Sequence, residues 1–363
     1  MRALARADQL GISPPAARFP ARTTPLAPGA RHVPARRRSP RLSSSGIPGR
    51  LQRWEDCAEA GRRAGDLVGI LRAATDPAGA SSSSDDDDAT PAPSSVTAAV
   101  AALFPSTHLP SQPSLPLLLY FPIGCAVAAF RMVLWMALLA TDSRLTNQDG
   151  PIAALRSLLG VSVAWEGEEH LPAERHVLVS NHLTAGDLIV LYTRPQRYIH
   201  LITPAVPEAA TRVANHRVLL RHATPATYDA LATDEGIAES VHLFPEGGMT
   251  NGTGMMRFSR GFVRFSRDLP VVPMALRVRV PLGVSTHTLT SSFAANLFWF
   301  SFAPWISFTC TVLPPMRMEA GESPGRFAQR LEKAVAEELG VPVAELTIQA
   351  KKQAMQRAKL AGK

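Results

Sequence analysis

Two stretches of the chain hold residues that could do chemistry, at spacings that would bring them together. The first, His176-Val-Leu-Val-Ser-Asn-His-Leu-Thr-Ala-Gly-Asp187, is an apolar run ending in Asn181-His182 and followed by Asp187. An imidazole whose second nitrogen is held by a carboxylate has the makings of a general base. Asp187 also has a purely structural reading, because Thr184 with an acid three residues on is a capping box and the carboxylate would then close a helix start. The second stretch, Val241-His-Leu-Phe-Pro-Glu-Gly-Gly-Met-Thr-Asn-Gly252, is again an apolar run that breaks into a Pro and Gly loop. Gly247, Gly248 and Gly252 allow close backbone approach to a ligand, and Thr250 and Asn251 offer hydrogen-bonding groups. Arg257 or Arg260 is placed to hold a phosphate. The structural alternative here is an ordinary turn with a buried acid.

No motif places a serine nucleophile beside His182; Ser180 lies on the alternate face of its strand. The attacking hydroxyl must then come from the substrate. His182 would remove its proton as it attacks a thioester carbonyl, a direct transfer. Metal chemistry has no ligand pattern to stand on, since the histidines and acids form no His-Glu-x-x-His cluster. Cys57, Cys125 and Cys310 are scattered and give neither a disulfide framework nor a zinc site.

Both loops need a sheet edge to present them. After Thr141 the sequence turns to short β-rich runs, Val161–Trp165, His176–Ser180, Tyr198–Thr203, Val241–Phe244, Val271–Val280 and Phe308–Leu313. They alternate with helical patterns over Asp187–Tyr192, Glu208–Leu220, Thr227–Glu239, Phe258–Ser266 and Pro324–Leu339. That alternation predicts an α/β domain over 146–342, a mixed and largely parallel sheet covered by helices.

The flanks differ in texture. Residues 1–95 are rich in Pro, Ser, Ala and Arg, too poor in apolar surface to offset ordering, and read as disordered. Residues 1–50 hold ten Arg and one acid, Asp8. Such composition fits an organelle transit peptide, with a plastid one destination, and equally a solvated tail or a wrongly extended start. The formal charge of +8 is concentrated there; the body of the chain is nearly neutral, which excludes a nucleic-acid groove. Arg50–Ala74 is read as a short amphipathic helix. Leu115–Ala140, inside a membrane-inserting region 96–145, is the most apolar stretch. As a straight helix it would reach about 39 Å against about 30 Å of hydrocarbon. Pro122 and Gly124 favour a break, so a hairpin is expected ahead of a single span, and Arg131 at mid-membrane would have to snorkel. Leu289–Ile306 reads as an interfacial or core helix, and 343–363 as an amphipathic basic helix for a membrane or for its own domain.

Taken together, Asn181-His182-x4-Asp187, Phe244-Pro245-Glu246-Gly247 downstream, and the Pro-containing strand Leu269–Leu276 resemble the phospholipid/glycerol acyltransferase superfamily. The resemblance implies the glycerolipid acyltransferase fold with an N-terminal membrane hairpin or span. It puts His182 and Asp187 in the catalytic positions, Glu246 and Gly247 in those that organise the acceptor site, and Asn181, Thr184, Phe244, Pro245, Thr250, Asn251 and Arg257 around the substrate. It implies acyl-CoA as co-substrate, no bound cofactor and no metal, a lysophospholipid or glycerol phosphate acceptor, and membrane lipid as partner. The family's phosphate-binding Gly and Arg block is not matched; Arg217, Arg221 and His222 occupy that interval without its pattern. Leu117–Gly124 with Arg131, Thr250-Asn-Gly with Met255–Ser259, Phe298-Trp299 near Pro304, and Phe327 through Gly340 resemble the ancient ubiquitous protein family. That likeness implies the endoplasmic reticulum and lipid droplets, and a second role as a catalytically silent adaptor with partners in the degradation machinery. The sequence runs only a short way past Gly340, so that family's ubiquitin-binding region is not expected in it.

Overall fold

The computed structural model describes residues 93–140, 149–204, 218–233 and 236–361. The described residues fall within one compact unit, Leu51–Lys363. Residues 1–50 lie outside the described residues, as do the Arg50–Ala74 segment and the Ser and Asp tract.

Seven strands form one sheet: β1 (Val161–Glu166), β2 (Val177–Ser180), β3 (Tyr198–Ile202), β4 (Val218–His222), β5 (Ser240–Leu243), β6 (Val271–Arg279) and β7 (Ile306–Val312), in the order β1-β7-β6-β2-β5-β3-β4. All neighbours are parallel except β6 and β7. Every residue of β2 and β5 is buried, as expected of central strands covered on both faces. Their register pairs Val177 with Val241 and Val179 with Leu243. The loops that leave their C-terminal ends therefore emerge side by side.

Helices α1 (Pro93–Leu103), α2 (Leu115–Ala140), α3 (Asp149–Leu159), α4 (Pro225–Thr233), α5 (Phe293–Phe302), α6 (Pro324–Leu339) and α7 (Ile348–Ala361) surround the sheet. One face is filled by Val177, Val179, Val241 and Leu243 against Phe327, Leu331 and Val335 of α6. The other packs Leu178, Val272 and Met274 against Phe300 of α5 and Ile189 and Val190 of the turn after β2. α6 is capped by Ser323, whose side chain accepts from Arg326 N, with Pro324 in the first turn.

Several elements depart from the sequence reading. Val218–Leu220, expected as the end of a helix over 208–220, is strand: the run pairs with Tyr198–His200 at the sheet edge, and residues 208–217 lie outside the described set. A short apolar run fits either period, and tertiary pairing decides it. Phe258–Ser266 forms only a 3-10 turn over Gly261–Arg264, with Phe258 N donating to Glu332 Oε2 and Ser259 N to Pro245 O. The helix expected over Thr227–Glu239 ends at Thr233, and Asp187–Thr193 is 3-10.

The break expected at Pro122 and Gly124 is absent, and α2 is continuous. Gly124 serves close packing, since a Cβ there would lie 2.5 Å from the Phe302 ring. Arg131 does not snorkel. Its guanidinium is buried and donates to four carbonyls, Leu158, Ser301, Ala303 and Pro304. Three of these close the C-terminal end of α5, where orphan carbonyls attract a cation. Gly160, at φ +66°, leaves room for the charge, as a Cβ would overlap it. α2 is thus fastened to the domain, and its segment Leu115–Trp135 is long and apolar enough to cross a membrane.

Candidate functional site

His182 stands just beyond the end of β2. Its Nδ1 donates to Asp187 Oδ2 at 2.9 Å, which leaves Nε2 of the neutral ring with a free lone pair. The imidazole is 21% exposed while the carboxylate is fully buried. Asp187 also accepts from Leu183 N at 2.6 Å, from Thr184 N at 2.9 Å and from the Thr184 hydroxyl. The capping role and the partnership with the imidazole are one arrangement: the amides that fix the carboxylate also aim it. Phe300 of α5 packs so tightly on Gly186 that a Cβ would meet it at 2.3 Å, holding the turn shut behind the dyad.

The second loop is tied to the first through Glu246. This carboxyl is 0% exposed and accepts from His182 N at 2.9 Å and from Met256 N at 2.8 Å. Thr250 N closes the circuit by donating to His182 O at 2.9 Å. Burial pushes the Glu246 carboxyl up to about 8, against the pull of the two amides and Lys351. Phe244 stacks on the His182 ring, centroids 4.0 Å apart and planes within 5°. Behind it a chain of buried groups braces the stack. His242 meets Ser180 Oγ at 3.1 Å and His200 at 2.8 Å, and both rings stand edge-on to Phe244. Burial drives His200 down to about 3 and His242 well below its ordinary value.

Of the remaining expected site residues, Pro245 is buried in the loop, and Asn181, Thr184, Thr250 and Asn251 line a cavity. Asn181, Thr250, Asn251 and Arg257 also have internal partners. The Asn181 amide exchanges hydrogen bonds with Leu276 O and N, extending the β2–β6 ladder past the strand end. Thr250 Oγ1 donates to Gly254 O. Asn251 Nδ2 donates to Ala102 O at the end of α1, and Arg257 pairs with Glu345.

Other contributors carried no readable spacing. α1 and α7 pack together over the glycine loop through Leu103, Phe104, Met256 and Leu346. Ile348 covers Gly247, whose φ of +69° suits glycine and where a Cβ would lie 3.2 Å from it. Lys351 donates to Met249 O at 2.8 Å and lies 4.4 Å over the Phe104 ring. Burial brings its ammonium down to about 8. Among the described residues no group of three or more His, Cys, Asp or Glu is placed to hold a metal.

Fold and site together define an α/β protein that presents an imidazole–carboxylate pair and a glycine-rich loop at one sheet edge. The acyltransferase family matches residues 162–277, which span both loops. Lipid droplet-regulating VLDL assembly factor AUP1 of Mus musculus is 30% identical over 268 residues, 70% of this chain and 63% of the relative. Glycerol-3-phosphate acyltransferase 4 of Homo sapiens is 26% identical over 200 residues, 52% of this chain and 43% of that protein. A solved structure, the LPA acyltransferase PlsC of Thermotoga maritima, aligns at 14% identity with a TM-score of 0.40, over 62% of this chain and 95% of its own. The chain carries an acyltransferase-family region and is similar both to the lipid-droplet factor and to the glycerol-3-phosphate acyltransferase. It spans less than two thirds of that factor's length.

Proposed function

We propose that the chain is a membrane-associated O-acyltransferase that moves an acyl group from acyl-CoA to the hydroxyl of a lysophospholipid or glycerol phosphate. The observation that carries this reading is the 2.9 Å bond from His182 Nδ1 to a fully buried carboxylate, which frees Nε2 as a base. In the step envisaged, Nε2 takes the acceptor's proton as its oxygen attacks the thioester carbonyl. The C–O bond forms, the C–S bond breaks, and the proton passes from the imidazolium to the departing thiolate. Asp187 steadies the imidazolium, the role an aspartate has in hydrolase triads. Glu246 and Gly247 organise the acceptor side of the loop. The setting is the cytosolic face of the endoplasmic reticulum or a lipid droplet.

Incubating the protein with radiolabelled acyl-CoA and a panel of lysolipids should give an ester that His182→Ala abolishes. No ester with any acceptor would overturn the reading. A second reading, a catalytically silent acyltransferase-fold adaptor at the same membranes, is favoured by one observation: the relative covering 70% of this chain is described as a regulator. Under that reading, wild type and His182→Ala would behave alike in lipid-droplet assays and degradation partners would co-purify with both.

A further inference from the structure

The C-terminal helix α7 brings one charged side chain to the glycine loop, that of Lys351. Along the helix Ile348, Lys351, Ala354 and Met355 are half-buried at helical spacing, and no side chain of α7 is fully buried. A lysine on that inner face works against packing. An ammonium taken out of water needs partners, whereas a methionine of similar length would fill the same place without them.

The ammonium has such partners, and they belong to the loop. Nζ donates to Met249 O at 2.8 Å and lies 4.4 Å from the centre of the Phe104 ring. Gly248 makes the room for it, since a Cβ there would lie 2.7 Å from Nζ. Unlike Gly247, Gly248 has no left-handed φ, so its missing side chain serves this space and not a turn. What Lys351 holds bears directly on the dyad. Thr250, the residue after Met249, donates its N–H to His182 O, and Glu246 accepts from His182 N. The backbone of His182 therefore hangs on both ends of the segment 246–250, and Lys351 grips the segment between them. The charge on Lys351 also favours the ionised form of Glu246, against the opposing field of Glu332, and a carboxylate is the stronger acceptor for the two amides it meets.

We propose that Lys351 is a positioning residue of the acyl-transfer site: its ammonium, bonded to Met249 O in the space left by Gly248, sets the glycine loop against the backbone of His182. The tail helix thus completes the site. The proposal rests on the acyltransferase reading only for the reaction in which its effect on turnover is measured.

Hydrogen exchange of the full-length protein, wild type and Lys351→Met, tests the contact itself. The Thr250 amide should exchange about tenfold faster in the variant, with the amides of β2 and α7 as protected as before. A lysine that merely packs the helix would instead release α7. In the radiolabel assay kcat of Lys351→Met should fall about tenfold or more, with KM for acyl-CoA within about twofold of wild type. Gly248→Ala should lower kcat by a similar factor, because the added methyl evicts the ammonium. The double variant should then be no slower than either single one, whereas two unrelated roles would multiply. Unchanged Thr250 exchange, release of α7 itself, unchanged kcat in Lys351→Met, or multiplied losses in the double variant each overturn the proposal. A wild type that forms no ester sinks the acyltransferase reading alone, and the exchange measurement then decides whether Lys351 holds the loop.

Discussion

At the residue scale, two carboxyls of the site do opposite jobs. Asp187 has four donors converging on it, one of them the imidazole. In Asp187→Asn an amide nitrogen would face those donors, and the ring would lose the acceptor that fixes its tautomer. Acyl transfer should fall on the order of 10³-fold or more, with a stability loss of about 1–3 kcal/mol for the buried unpaired donors. A variant retaining near-wild-type turnover in the radiolabel assay would refute the dyad. Glu246 instead makes the fold sensitive to pH. Its folded pKa of about 8 and that of Glu332, about 7, lie above the ordinary 4.5. The folded state therefore holds protons that the unfolded chain releases, and stability falls as pH rises from 4.5 through 8. His200, His242 and His287 act in the reverse sense: depressed below 6.5 when folded, they lose stability as pH falls below 6.5. They outnumber the carboxyls below 6.5, and above it Glu246 and Glu332 set the slope until Lys351, depressed to about 8, begins to oppose them. Melting temperature should peak near pH 6.5, and Glu246→Gln should flatten the decline towards 8. A melting temperature that climbs steadily from 6.5 to 8 would contradict this account.

At the scale of elements, the strands were the legible part. β1, β2, β3, β5, β6 and β7 follow from alternating or continuous apolar runs, and the pairing of β2 with β5 brings Asn181-His182 beside Phe244. The converging supports were not legible, because each depends on contacts between segments with no shared spacing. Nothing in Leu115–Ala140 says that Arg131 would find the carbonyl ends of α3 and α5. Nothing around Thr286-His287-Thr288 says that the ring would be buried beside the dyad. Asn251, expected as a ligand-facing amide, also holds the end of α1. The Arg131 anchor is open to test. Arg131→Ala strands the Ser301 and Ala303 carbonyls in the interior and should lower stability by roughly 2–4 kcal/mol. Lysine should recover only part of this, since a single ammonium cannot reproduce a planar fork across four acceptors. Equal chemical denaturation midpoints for wild type, Arg131→Ala and Arg131→Lys would show that the helix is held by its apolar contacts alone.

At the scale of the folded unit, the two sides of α2 decide how it meets a membrane. Leu117, Gly124, Ala128 and Arg131 are buried against the domain, a stripe at helical spacing. Leu115, Leu118, Leu119, Ile123, Phe130 and Val133 are exposed, and so are Leu158, Phe293 and Trp305 of the domain. A helix fastened along one side cannot stand upright in a bilayer by itself without surrendering the Arg131 contacts. Its outer face is better matched to a lipid surface, with the domain carried close to that surface. If these six exposed α2 side chains, leaving aside the less exposed Phe121, each gain about 1 kcal/mol on leaving water, the sum is about 6 kcal/mol, a partition constant on the order of 10⁴–10⁵ M⁻¹. That matches or exceeds one myristoyl chain and is reversible. Replacing Leu118, Ile123 and Phe130 together by serine should remove about half of it, roughly a hundredfold in partitioning. The Arg131 anchor and the dyad would be left in place. Flotation with phospholipid vesicles would then recover the wild type in the lipid fraction and leave the triple variant behind. Equal flotation of the two would mean that some other part of the chain supplies the attachment.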